Sequence, residues 1–217
     1  MQFANVSMVV AIGALSFTAA TWAPNPPLTG SQSRLESAGA RAPELAVGPT
    51  IVAGADESPK PKVRVSGTDV EASRRGLEAM QAISYDWRTL LPEWEIRFHA
   101  ATAGAYGYTL TQEHRIDIYV RPDESDALLT HVIAHELGHA VDVTFNDGND
   151  RRRWLDLRGI EDAPWWPDNR AADFATGAGD FAESFAAWQV GDSDFRSDLA
   201  APPSAEARAL VAELAAG

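Results

Sequence analysis

The spacing of apolar positions divides the chain beyond residue 63 into a few strands followed mostly by helices. The clearest strand runs from Glu113 to Arg121: Ile116, Ile118 and Val120 fall on one face, and Arg115, Asp117, Tyr119 and Arg121 on the other. Trp94 to Phe98 alternates in the same way, and Val63-Arg64-Val65 is a shorter candidate. The glycines of Ala103-Gly104-Ala105-Tyr106-Gly107-Tyr108 mark a loop or a bulged strand. Helical spacing is read in Asp69 to Trp87, where Val70, Leu77, Met80, Ile83 and Trp87 recur at that period. It returns in Asp126 to Asp142, where Leu129, Ile133, Leu137, Ala140 and Val141 form a core-facing stripe and Asp123, Ser125 or Asp126 can cap the start after Pro122. Phe145 to Asp150 is a turn-rich exit, Arg151 to Arg158 a short helix, and Pro164-Trp165-Trp166-Pro167-Asp168 a packed loop. Asp180 to Val190 reads as a helix with Phe181, Phe185 and Trp188 on one side, and a last helix spans about Ser204 to Leu214. The fold class expected is α+β: a small mixed sheet packed on the 126–142 helix, with further C-terminal helices.

The first sixty residues follow a different pattern. Residues 1–23 carry no charged side chain, and the apolar run from Val6 to Ala20 ends in Ala-Ala-Thr-Trp-Ala23, the form of a secretory signal peptide or, uncleaved, of a membrane anchor. Residues 24–62 hold seven of the thirteen prolines and no aromatic residue, so they read as a linker with little to bury. Their four basic and four acidic residues cancel, which assigns the net charge of −13 to the folded domain, residues 63–217. So acidic a domain is unsuited to nucleic acid or to anionic lipid. The absence of cysteine excludes thiolate ligands and leaves His and carboxylates for any metal.

That restriction bears on His135-Glu136-Leu137-Gly138-His139. Residues four apart on a helix project from one face, one turn apart, so two neutral imidazoles here can grip one Zn²⁺. Glu136 lies about 100° round from His135, too far for the obvious third ligand but placed to take a proton from water. His131 lies on the same face a turn earlier, in a supporting or structural role. Gly138 is a poor mid-helix residue and implies a close neighbour, a strand or a loop.

A zinc site needs a third protein ligand, and the candidates lie downstream, in Thr176 to Trp188. There the chain resembles the zincin metallopeptidases of the glutamate-ligand branch, most nearly the lethal-factor-like catalytic domains. The resemblance rests on His135-Glu-Leu-Gly-His-Ala-Val-Asp142 and Asp180-Phe-Ala-Glu-Ser-Phe185 and covers roughly residues 94–190. It implies a zincin-like fold, one zinc ion on His135 and His139, Glu136 as general base, and hydrolysis of a protein or peptide substrate. The family's second motif runs E-x-F-A-E, its first glutamate the ligand; here that position is Gly179 and the second is Glu183. Glu183 is the expected third ligand. Asp180 is the alternative, and a capping pair made by Asp180 and Glu183 would leave neither on the metal.

The family's oxyanion-stabilising tyrosine is missing from Trp165 to Ala178, with Arg170, His114, Tyr106 and Tyr108 as substitutes. Asp142 would orient His135 or His139, or cap a turn. If the strand from Arg115 to Val120 lies at the sheet edge, it would bind substrate as an added strand. The expectation is a secreted zinc metalloendopeptidase, acting as a monomer, with membrane contact only through an uncleaved anchor. A zinc-binding pseudo-peptidase or an interaction domain is the alternative that Gly179 raises.

Overall fold

Five strands and six α-helices are seen in a computed structural model of the chain, which describes residues 9–11, 62–65, 69–167 and 172–217. They run in the order β1 (Val9–Ala11), β2 (Lys62–Val65), α1 (Val70–Ala79), α2 (Trp87–Leu90), β3 (Glu95–Ala100), β4 (Gly107–Leu110), β5 (Arg115–Val120), α3 (Asp126–Phe145), α4 (Gly148–Arg158), α5 (Gly177–Val190) and α6 (Ala205–Leu214). The fold is α+β, as the pattern predicts. The readings of a signal peptide over 1–23 and a linker over 24–62 lie outside the described residues, apart from β1 and Lys62. No helix among the described residues is long and apolar enough to cross a membrane.

The sheet order is β1-β4-β5-β3-β2. Strands β2, β3 and β5 are parallel, β4 is antiparallel to β5, and β1 is antiparallel to β4. The strand read from Glu113 to Arg121 is therefore central, flanked by β3 and β4, and cannot accept a further strand. Its facing follows the alternation, with Ile116 and Ile118 fully buried beside Ile96 and Phe98 of β3.

Helix α1 corrects the sequence reading. The run read as one helix to Trp87 ends at Ala79, passes through a single 3-10 turn at Met80–Ala82, and turns extended at Ile83. The Gln189 side chain then accepts hydrogen bonds from Ser84 Oγ (2.9 Å) and Tyr85 N (2.8 Å), anchoring the break. Val70 and Leu77, read at helical spacing, are exposed, and α1 packs through Ala72, Ser73, Gly76 and Ala79. A Cβ on Gly76 would stand 2.2 Å from the Phe98 ring, so close approach of helix to sheet selects small residues there.

Helix α3 starts where Ser125 Oγ accepts from Leu128 N (3.1 Å) and is buried continuously from Leu129 to Asp142. It is not a surface helix with one apolar stripe; α1 and the sheet pack against it, and so does α5. Gly138 marks that last crossing. A Cβ there would lie 2.8 Å from Ala182 Cα, so the close neighbour is a helix rather than a strand or loop.

Candidate metal centre

Full burial of α3 places its polar residues in the interior, where each needs a partner. His135, Glu136 and His139 are all 0% exposed. The two imidazoles present their Nε2 atoms to each other at 3.1 Å, as one-turn spacing requires. The third member of the group is Asp173. Its Oδ2 lies 2.9 Å from His135 Nε2 and 3.3 Å from His139 Nε2. Tetrahedral zinc with ligands at about 2.0–2.1 Å separates them from one another by roughly 3.3 Å. The triangle formed by His135, His139 and Asp173 has close to that size and could hold a metal ion.

Asp173 sits on a 3-10 turn, Asp173–Ala175, directly before α5. Thr176 caps α5, accepting from Gly179 N (3.0 Å) through the same hydroxyl that donates to Asp173 O (2.7 Å). The turn rests on Gly179, where a Cβ would lie 2.1 Å from Asp173 O and 3.1 Å from Asp173 Oδ2. The position lacking a glutamate is thus where another carboxylate enters, and the missing side chain makes room for it.

Glu183 is not part of the triangle. Its Oε1 lies 2.7 Å from His135 Nδ1, and its carboxylate is 3.2 Å from His131 Nε2 and accepts from Arg196 N at 2.7 Å. The imidazole of His135 stands between Glu183 and the meeting point of the other three groups. Glu183 therefore holds the ring from behind, fixing which nitrogen carries the proton. His131 has the supporting place read for it, on the far side of Glu183.

Asp180, the other expected ligand, is turned away. It accepts from Arg158 Nε (2.8 Å) and Nη2 (3.0 Å), Trp154 Nε1 (3.1 Å) and Ser197 Oγ (2.6 Å). It is fully buried, and Arg158 is 7% exposed on its side chain. Arg158→Met is expected to destabilise the protein by about 3–5 kcal/mol in denaturant titration, because it strands a buried carboxylate. Loss of less than 1 kcal/mol would show that Trp154 and Ser197 suffice.

Asp142 orients neither histidine. It accepts from Arg151 Nε (3.0 Å) and Trp165 Nε1 (3.0 Å), tying the loop after α4 back to α3. Of the proposed oxyanion substitutes, Tyr106 lines a cavity of about 10 Å³ with His131, His135, Phe174 and Glu183. The Arg121 guanidinium lies 3.6 Å from its ring centroid. Tyr108 packs edge-on against Tyr119, His114 packs on Trp94 in the hairpin turn, and Arg170 is outside the described residues.

Electrostatics also favour a cation. Burial alone would push the His135 imidazolium down, but hydrogen bonds to Asp173 and Glu183 outweigh it and raise its pKa to about 10. Burial likewise opposes ionisation of Glu183, yet His131 and His135 bring it down to about 2, and His139 and His135 hold Asp173 well below the usual carboxylate range. Without an ion, a proton on His135 compensates the buried negative charge; a divalent ion would serve the same carboxylates. Asp173 Oδ1 and Glu136 Oε1 are buried with no hydrogen-bond partner, so each has acceptor capacity left to fill.

Glu136 is set from the sheet. Thr109 Oγ1 donates to its Oε2 at 2.6 Å, and a Cβ on Gly107 would lie 2.5 Å from its Oε1. Strand β4 thus grips one oxygen and leaves space for the other. Burial raises the Glu136 pKa, with His135, His139 and Thr109 working against that rise.

Comparison with protein-family models, with curated proteins and with solved structures finds no match to this chain. The architecture and the buried His135-His139-Asp173 group are the ground for any functional reading.

Proposed function

We propose that this chain is a secreted zinc metalloendopeptidase of zincin-like fold, with His135, His139 and Asp173 as metal ligands and Glu136 as general base. The observation that carries the reading is the convergence of two imidazole Nε2 atoms and one carboxylate oxygen in a triangle of zinc dimensions, with the free oxygen of Glu136 next in sequence. Zinc there would supply Lewis acidity, lowering the pKa of water towards about 7 and polarising a carbonyl. Glu136 Oε1 accepts the proton of the attacking water and returns it to the leaving amine. Thr109 holds the other oxygen, so the carboxylate does not swing to become a ligand itself. Glu183 keeps Nδ1 of His135 protonated, presenting Nε2 to the ion. The likeness to lethal-factor-like domains supports this assignment, with the third ligand supplied from the turn before α5 rather than from position 179. As third ligand, Asp173 would supply the carboxylate that position 179 lacks. The apolar run at the N-terminus supports secretion.

The test is metal content of untagged protein, measured together with cleavage of an unstructured protein substrate. About one zinc per chain and chelator-sensitive cleavage are expected. Protein without bound metal, and unable to take it up, would end the proposal.

A further inference from the structure

Away from the metal centre, one buried cation has no counter-ion among the described residues. Arg121 follows β5 and is 8% exposed. Its Nη2 donates to the carbonyl oxygens of Gly104 and Ala105, and the guanidinium stands over the Tyr106 ring. Its Nη1 is buried and has no hydrogen-bond partner. Glu124 meets only the Arg121 backbone, accepting from its N–H at 2.8 Å. Burying a charge is costly unless it is paired, so a guanidinium held in this way calls for an anion.

Arg121 also lines a cavity of about 560 Å³, a size typical of small-molecule sites. The cavity lies where the parallel strands β3 and β5 end, at Ala100 and Val120, between α1 and the start of α3. Crevices outside the carboxyl ends of parallel strands are common ligand sites. Two acids line this one, and both are engaged: Glu71 accepts from Arg74 Nε at 2.9 Å, and Asp126 from Arg75 Nη2 at 3.0 Å. Arg121 is the lining charge left unmatched. Helix α1 opens on Asp69 without a side-chain cap, so the N–H groups of its first turn add positive potential beside Glu71 and Ala72. The remaining wall is apolar, from Ala72, Ala100, Val120 and Pro122.

We propose that this cavity binds an organic carboxylate carrying a short apolar group, with Arg121 Nη1 on the carboxylate and the apolar wall on the remainder. With Nη2 committed to two carbonyls, Arg121 suits a single negative charge better than phosphate, which takes more donors. The apolar wall gives a bare inorganic ion nothing to pair with. The cavity shares no lining residue with the metal centre, and the proposal does not depend on the peptidase reading. A free acid and the carboxyl terminus of a peptide offer the same chemistry, and the test separates them.

Hexanoate and N-acetyl-leucine are titrated into the full chain and followed by the backbone amide resonances of Ala72, Ala100 and Val120. Both carboxylates are expected to shift these signals saturably, while N-acetyl-leucinamide, which lacks the charge, and inorganic phosphate leave them in place. Arg121→Gln removes the cation and is expected to weaken binding by about tenfold or more. Ala100→Phe, at an exposed position on the rim, fills the cavity while leaving Arg121 in place, and is expected to weaken it as much; it decides the matter alone if Arg121→Gln does not fold. Saturation by N-acetyl-leucine only would assign the ligand as a peptide carboxyl terminus, and by hexanoate only as a free acid. Saturation by neither would overturn the site. Equal shifts with the amide, or unchanged affinity in the folded variants, would overturn Arg121 as the anchor, and tighter binding of phosphate would overturn the carboxylate. The readout needs neither zinc nor turnover.

Discussion

Asp173→Ala is expected to lose zinc affinity by more than about 100-fold, and Glu183→Ala by only about 10–100-fold, the range for a residue that supports a ligand. Competition against a chromophoric chelator measures both. The order matters more than the size, because it separates the two carboxylates on His135. Asp173 meets Nε2, the nitrogen that also faces His139, whereas Glu183 meets Nδ1 across the ring. A metal bound by both histidines through Nε2 is within reach of Asp173 only. If Glu183→Ala releases zinc more readily than Asp173→Ala, Glu183 is the ligand and the turn before α5 has a structural role. Circular dichroism on both variants separates loss of metal from loss of fold.

Glu136→Gln is expected to lower kcat by about 10²–10⁴-fold while leaving zinc content unchanged. The substitution is close to isosteric. Glutamine offers an oxygen to Thr109 Oγ1, so the contact at 2.6 Å between β4 and α3 is retained. What disappears is a carboxylate oxygen that is buried, unpartnered and raised in pKa by that burial. A group held in that way binds a proton more readily than a solvated carboxylate, as a general base requires. Equal turnover by Glu136→Gln and wild type would remove Glu136 from the proton transfer, whatever the metal result.

Elements whose signal is local were legible in the sequence. Strand β5 alternates because one face meets the core, and its facing follows residue by residue. Helix α3, with its histidines four apart, follows from helical geometry alone. The end of α1 was not legible, because helical spacing runs on through Ile83 and Trp87, while the buried face of α1 is built from small residues against Phe98. The nature of α3 was half legible: its apolar stripe was visible, but not that neighbours pack around it.

The third member of the metal group shows the same limit more sharply. Asp173 is the only acidic residue between Asp168 and Asp180, and nothing in its neighbourhood resembles a ligand motif. A search for a carboxylate facing the gap left by Gly179 would have found it, but that facing is a property of the turn and not of the spacing. Pairing along the sheet was equally hidden, since an alternating strand does not declare whether it is central or at the edge.

Taken alone, the order of residues determined the α+β class, the helix that carries the histidines, and the identity of Glu136 as the neighbouring carboxylate. Short-range geometry suffices for these, because a helix turn or a strand pleat places residues a few positions apart. The folded chain decided that Asp173 and not Glu183 meets the Nε2 atoms of both His135 and His139, that Asp180 belongs to Arg158, and that β4 is the strand beside Glu136. Those are contacts between segments remote in sequence, set by how close two backbones come, and a single missing Cβ at Gly179 was enough to decide which carboxylate arrived.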